Sequence, residues 1–186
     1  MTTSATAGGT TAPDAVANAP ANDTVARAAA LVVRLIAAAL WFTNLAWKVP
    51  PDFGRDDNAG LYFFTGLAVE HPVFQPWSDF VADVVLPNFT VFAWVTYVTE
   101  WALAVFLLLG LLTRLWALVA IGQSVAIFLS VGAAPDEWEW SYFLMIAVHL
   151  AILGFASGRV LGVDAWLRPR LLAARGRLAR LVRIAT

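Results

Sequence analysis

The sequence predicts an all-α integral membrane protein. It reads as a four-helix bundle with a long extracytoplasmic loop between helices 1 and 2 and a basic amphipathic helix at the C-terminal end. Three observations carry that prediction. Hydrophobic residues make up 60% of the 186 residues and charged residues only 13%, where a soluble domain has about 45–50% and a quarter; mean hydropathy is +0.72. Four apolar stretches approach the length that crosses about 30 Å of hydrocarbon, and each carries one strongly polar residue near its middle: Arg34, Glu100, Gln123 and His149. Arginines and acids also alternate between successive connections, as they do when a chain crosses a bilayer repeatedly.

Residues 1–22 are small and polar with almost no bulky apolar side chain, and they read as a disordered tail. They lack the basic start and apolar core of a signal peptide. Helix 1 is expected over about 25–48, capped by Asp23 or Thr24 and stopped by Pro50-Pro51, which cannot donate backbone hydrogen bonds. The connection Pro50–Pro87 is too polar and interrupted to span. Its amphipathic pieces around Leu61–Val69 and Trp77–Val85 are expected as short helices on the membrane surface or over the bundle mouth, and an ordered loop of this length is usually functional.

Helix 2 is expected over 89–109, ending at Gly110, and helix 3 over 115–132. The short turn between them makes the two antiparallel neighbours. An acidic loop precedes helix 4, expected over 140–157. The domain reading is thus a tail to residue 22, a transmembrane domain over 23–164 and a cytoplasmic tail over 165–186. That tail carries Arg168, Arg170, Arg175, Arg177, Arg180 and Arg183. Leu167, Leu171, Leu178, Leu181 and Val182 share one helical face, as in a helix lying on an anionic membrane surface.

Charge sets the expected orientation. Arg27, Arg114, Arg159 and the arginine-rich tail fall on one side of four crossings. Asp52, Asp56, Asp57, Glu70, Asp79, Asp83, Asp136, Glu137 and Glu139 fall on the other, with Lys48 and Arg55 as its cations. The positive-inside rule then puts both termini in the cytoplasm of a multi-pass plasma-membrane protein. Nine Trp suit the lipid–water boundary. The absence of Cys excludes disulfides, thiolate-bound zinc or iron–sulfur clusters and a dithiol redox pair. No metal and no nucleic-acid partner is expected, and the lipid bilayer is; an oligomer is compatible with the sequence.

Counted from the cytoplasmic ends, Arg34, Glu100, Gln123 and His149 lie roughly 10–15 Å deep at 1.5 Å per residue. A polar side chain at that depth is costly unless paired or facing a cavity, so the four are expected in one layer. Arg34 and Glu100 read either as a buried ion pair that fixes register or as chemistry; Gln123 reads as inter-helical glue. His149 reads either as a satisfied core histidine or as an acid–base group beside Glu100. Trp41, Asn44 and Lys48 form a polar stripe on helix 1. With Tyr97 and Tyr142 they are candidate lining for a polar cleft opening outward.

Trp47-Lys48 closes helix 1, Glu100 precedes the Leu-Leu-Gly-Leu-Leu-Thr-Arg segment ending at Arg114, and Gly158-Arg159-Val160-Leu161-Gly162-Val163-Asp164 follows helix 4. Over about Arg27 to Leu167 the chain resembles the DoxX/DoxD family of small membrane proteins, which includes the membrane subunit of thiosulfate:quinone oxidoreductase. The resemblance carries over Lys48, Glu100, Arg114, Arg159 and Asp164. It implies a quinone-linked oxidoreductase subunit with a partner redox subunit or soluble enzyme. On that reading Glu100, His149 and Arg34 act on the quinone, while Lys48, Asn44, Trp41, Tyr97 and Tyr142 meet a small sulfur or thiol donor such as thiosulfate. Arg114, Arg159 and Asp164 also read as an arginine–carboxylate clamp on the cytoplasmic turns. The alternative is a non-catalytic anchor that recruits a soluble redox enzyme. A carrier using the polar stripe is disfavoured by the absence of repeated halves and broken helices.

Overall fold

A computed structural model of the chain describes residues 23–55, 59–174 and 176–186. The expected N-terminal tail, Asp56, Asp57 and Arg175 lie outside the described residues. Among the described residues all regular structure is helical. In chain order the helices are α1 (Asp23–Thr43), α2 (Leu61–Glu70), α3 (Gln75–Phe80) with a π-helical turn Val81–Val85, α4 (Phe89–Leu109), α5 (Thr113–Val131), α6 (Glu139–Phe155), α7 (Val163–Ala173) and α8 (Arg177–Ala185).

Three segments, Thr24–Thr43, Phe89–Leu109 and Thr113–Val131, are long and apolar enough to cross a membrane; α6 is apolar but shorter, at 17 residues. Their packing is carried by small residues that let helix backbones approach. Ala37, Ala38 and Trp41 of α1 meet Leu103, Ala104 and Leu107 of α4, Ala117 and Ala120 of α5, and Ile152 of α6. The outward faces keep large apolar side chains exposed, among them Ile36, Leu40, Val95, Val98, Leu108, Leu118 and Leu150. A soluble monomer rarely exposes apolar patches on this scale.

Helix 1 was expected to run to Lys48 but ends at Thr43. The Leu40 carbonyl takes both the Asn44 amide (3.1 Å) and the Thr43 hydroxyl (3.0 Å). Leu45, Ala46 and Lys48 then donate to Phe42, Thr43 and Leu45, three residues back. A threonine hydroxyl competing for a helix carbonyl, followed by tighter i→i−3 turns, ends the helix and redirects the chain. Lys48 is buried as a result, rather than standing at the rim of a continuous helix.

The connection folds back over α5. Leu67 of α2 packs with Val131 and Tyr142, and Ala68 packs with Val81 and Val85 of the π turn. At the opposite end Gly110, in the left-handed region (φ 64°), stops α4, and α5 begins at once after Leu112 (φ 50°). The single C-terminal amphipathic helix expected from the arginine spacing is two helices. The helical bonding of α7 stops at Ala174, where the backbone is extended, and α8 starts after Gly176 at φ 141°.

Candidate functional site

The polar residues expected in one layer occupy three places. The first is an ion pair. Lys48 Nζ donates to both Glu100 carboxylate oxygens, at 2.6 and 2.7 Å, and the two residues are 3% and 0% exposed. Gln123 of α5 points its amide nitrogen at Glu100 Oε1 from 3.5 Å, and the Lys48 ammonium lies 4.4 Å from the centre of the Trp47 ring. Among the described residues this is the one ion pair within salt-bridge distance. Glu100 was expected to pair with Arg34. The turn after Thr43 brings Lys48 to it instead, so Lys48 is a counter-ion and its charge is not free to attract an anion at an outer mouth.

Lys48, Glu100 and Gln123 line a cavity of about 480 Å³. The remaining wall comes from the connection and the helix ends, with Phe64, Trp77, Thr96, Ser130 and Tyr142 among the lining. Two polar pairs lie on that wall: the Trp77 indole donates to Ser130 Oγ (3.1 Å) and the Tyr142 hydroxyl to Glu137 (2.6 Å). Tyr142 lines the cavity as expected. Tyr97 does not: it sits against Phe53, Trp94 and Trp101 in an aromatic cluster. Phe64, Trp77, Ser130 and Glu137 are lining residues that sequence reasoning missed. The signal available was the long connection itself, whose aromatic pieces have to cover something.

His149 belongs to a second cavity of about 520 Å³ between α1 and α6, lined by Leu40, Trp41, Leu144 and Val148 among others. The Trp41 indole donates to His149 Nε2 at 2.9 Å, and Nδ1 lies 2.7 Å from the Met145 carbonyl. Tryptophan can only donate, so Nε2 accepts and the proton sits on Nδ1, donated to Met145. Both ring nitrogens of the neutral imidazole are therefore in use. The expected pairing of His149 with Glu100 is not formed, because the ring is held on the α1 side by Trp41. Asn44, Trp47 and Met145 line both cavities.

The third place is a cluster at the opposite ends of the helices. Arg34 donates to the Ser157 carbonyl at 3.0 Å and points a second nitrogen at the Leu161 carbonyl from 3.5 Å. Asp164 accepts from the Leu112 and Thr113 amides at 2.8 and 2.9 Å, while its own amide donates to the Gly110 carbonyl at 2.9 Å. Three glycines leave room for this. A Cβ on Gly110 would strike the Arg34 guanidinium and lie 2.8 Å from Gly162 Cα; one on Gly158 would strike Thr113 and Asp164. The two sequence segments that carry the family resemblance thus touch, and their shared job here is to join the α4–α5 turn to the α6–α7 turn.

The expected clamp of Arg114 and Arg159 on Asp164 is replaced by backbone contacts. Arg114 donates to the Leu153 carbonyl (3.2 Å) and Arg159 to the Thr186 carbonyl (2.8 Å). Asp164 is already spent on two amides that the start of α5 leaves open. Burial lowers the Arg159 pKa, nearby Arg168 and Arg114 lower it further, and Asp164 opposes them.

The sequence model of the family described as TQO small subunit DoxD matches residues 30–184. The chain belongs to the DoxD family. No curated protein and no solved structure matches it. For this DoxD-family membrane protein the match takes in both cavities and the glycine–arginine cluster. It also runs past Leu167 into the basic tail, which the resemblance by motif did not reach.

Proposed function

We propose that this chain is the membrane subunit of a quinone-linked oxidoreductase and that the Lys48–Glu100 pair is the floor of its quinone-head site. The observation that carries the reading is a fully buried lysine–glutamate pair that nonetheless lines a cavity of ligand size. The family membership supplies the quinone: TQO abbreviates thiosulfate:quinone oxidoreductase, and the matched family is that enzyme's small subunit.

The residues fit a quinone head. Phe64, Trp77 and Tyr142 supply aromatic wall for a flat ring, and Lys48 and Gln123 supply donors for a carbonyl at the floor. A quinone, when bound, supplies a two-electron acceptor that takes up two protons. The chain's part is to hold the ring and to move a proton: Lys48 donates, and the Glu100 carboxylate takes up a replacement proton from water entering the cavity and passes it to Lys48, with the Tyr142 hydroxyl on Glu137 at the other end of the cavity as the second proton-bearing group. His149 serves by fixing Trp41 and the α1–α6 contact. The electrons come from a small sulfur anion or thiol, thiosulfate in the family's own reaction, or from a partner redox subunit. Two such anions joined by a new S–S bond release the two electrons required.

On this reading α1, α4, α5 and α6 all cross the plasma membrane, and α6 reaches across with its flanking residues. The Arg34–Asp164 end and the basic helices α7 and α8 face the cytoplasm, and the connection with α2 and α3 roofs the cavity on the other side. Glu100→Gln and Lys48→Met should each lower quinone reduction by the subunit with its donor and weaken quinone binding at least tenfold. Unchanged quinone affinity in both variants sinks the proposal. It would leave the non-catalytic anchor, which the complete burial of the pair also suits.

A further inference from the structure

The second cavity takes no part in the head site. It matches the first in size but not in chemistry. Among the described residues no Asp, Glu, Lys or Arg lines it, and His149 has both ring nitrogens engaged. Its walls are Leu40, Leu144 and Val148 with Trp41 and Trp47, and Leu40 and Leu144 are more than half exposed on the outer faces of α1 and α6. In a bilayer those faces meet lipid tails, so the cavity opens sideways into hydrocarbon.

It also adjoins the charged cavity. Asn44, Trp47 and Met145 line both, so what separates the two is one asparagine, one indole and one thioether. The indole is held by a hydrogen bond to Asn44 (2.9 Å) at an exposed position, an edge contact with Phe64 and the Lys48 ammonium over its ring. Methionine is the most adaptable apolar side chain.

We propose that the two cavities are the halves of one site for an amphiphile. The polar head lies against Lys48 and Glu100 in the first half, and the apolar chain lies between α1 and α6 in the second. Trp47 and Met145 grip the junction. The inference rests on the quinone reading and extends it: the ligand is a quinone bearing an isoprenoid chain, and it arrives laterally from the membrane with the chain side toward α6. A lipid lodged in the second cavity independently of the head is the competing occupant.

The test uses the full chain in nanodiscs of uncharged lipid. Two quinones with the same head, one without an isoprenoid chain and one with several units, are titrated against the protein's own tryptophan fluorescence. Val148→Phe fills the second cavity. It should weaken the chain-bearing quinone about tenfold, the equivalent of two lost methylene burials, and leave the chainless quinone within about twofold. Glu100→Gln should weaken both. Ser141→Phe, from the same wall, gives the same reading if Val148→Phe does not fold. Equal effects of the filling variants on both quinones, or none on either, overturn the bipartite site while leaving the head site standing. Failure of either quinone to bind the unaltered chain overturns the head site and this inference together.

Discussion

Removing one member of the Lys48–Glu100 pair should be among the most destabilising single changes in the protein. At 2.6 Å the two charges attract by about 6 kcal/mol at an effective dielectric constant near 20. That attraction offsets a desolvation cost of several kcal/mol per ion. In Lys48→Met the attraction disappears while Glu100 stays buried at 0% exposure, with Gln123 alone beside it at 3.5 Å. Breaking a buried pair this way costs about 3–5 kcal/mol, and for a chain of this length that lowers Tm by about 6–20 °C. The double variant Lys48→Met/Glu100→Met removes both charges and keeps the volume, so most of the loss should return. The assay is thermal unfolding in one detergent, followed by intrinsic tryptophan fluorescence, on wild type, both single variants and the double variant. Single variants within about 1 kcal/mol of wild type, or a double variant less stable than either single, would show that the two charges do not hold each other in the folded chain. The double variant should also separate stability from function: it folds, and it does not hold the quinone head.

Three further outcomes follow from the geometry. Asp164→Asn keeps the shape and loses the charge on the Leu112 and Thr113 amides; we predict a loss of about 1–2 kcal/mol, with faster hydrogen exchange confined to the start of α5, and unchanged exchange there would contradict it. Gly110→Ala meets a positive φ and the Arg34 guanidinium at once and should cost more than about 1 kcal/mol, read as lower folded yield and Tm; a wild-type Tm would show that the two turns are not in contact. Trp41→Phe and His149→Ala should be coupled by about 1 kcal/mol in a double-mutant cycle, because each deletes the same hydrogen bond; strictly additive costs would show that the bond is not formed.

Much of the fold was legible in the sequence because hydropathy and helix stops act locally. Gly110 did end its helix, and three of the four expected crossings are long and apolar enough to span. The fourth, α6, starts one residue before the expected 140 but ends at Phe155, two short of the expected 157, where Ala156 turns left-handed (φ 46°). The site was harder to read. Depth along a straight helix put Arg34, Glu100 and His149 side by side, and the pairing of Glu100 turned on something depth does not contain, a Thr43 hydroxyl that unwinds the end of α1 and swings Lys48 inward. The motif glycines were visible but their purpose was not, since it depends on Arg34 reaching across more than a hundred residues of sequence to the Ser157 carbonyl. The basic tail showed its charge and apolar face plainly. Its break near Gly176 needed backbone geometry.

The cavity floored by Lys48 and Glu100 should hold a quinone head. Mass spectrometry of what the gently purified chain retains tests it most directly, with wild type and Glu100→Gln prepared side by side. Wild type should retain a quinone at near one per chain, and the variant should lose it. Wild-type protein free of quinone but carrying one stoichiometric soluble partner would contradict it and leave an anchor.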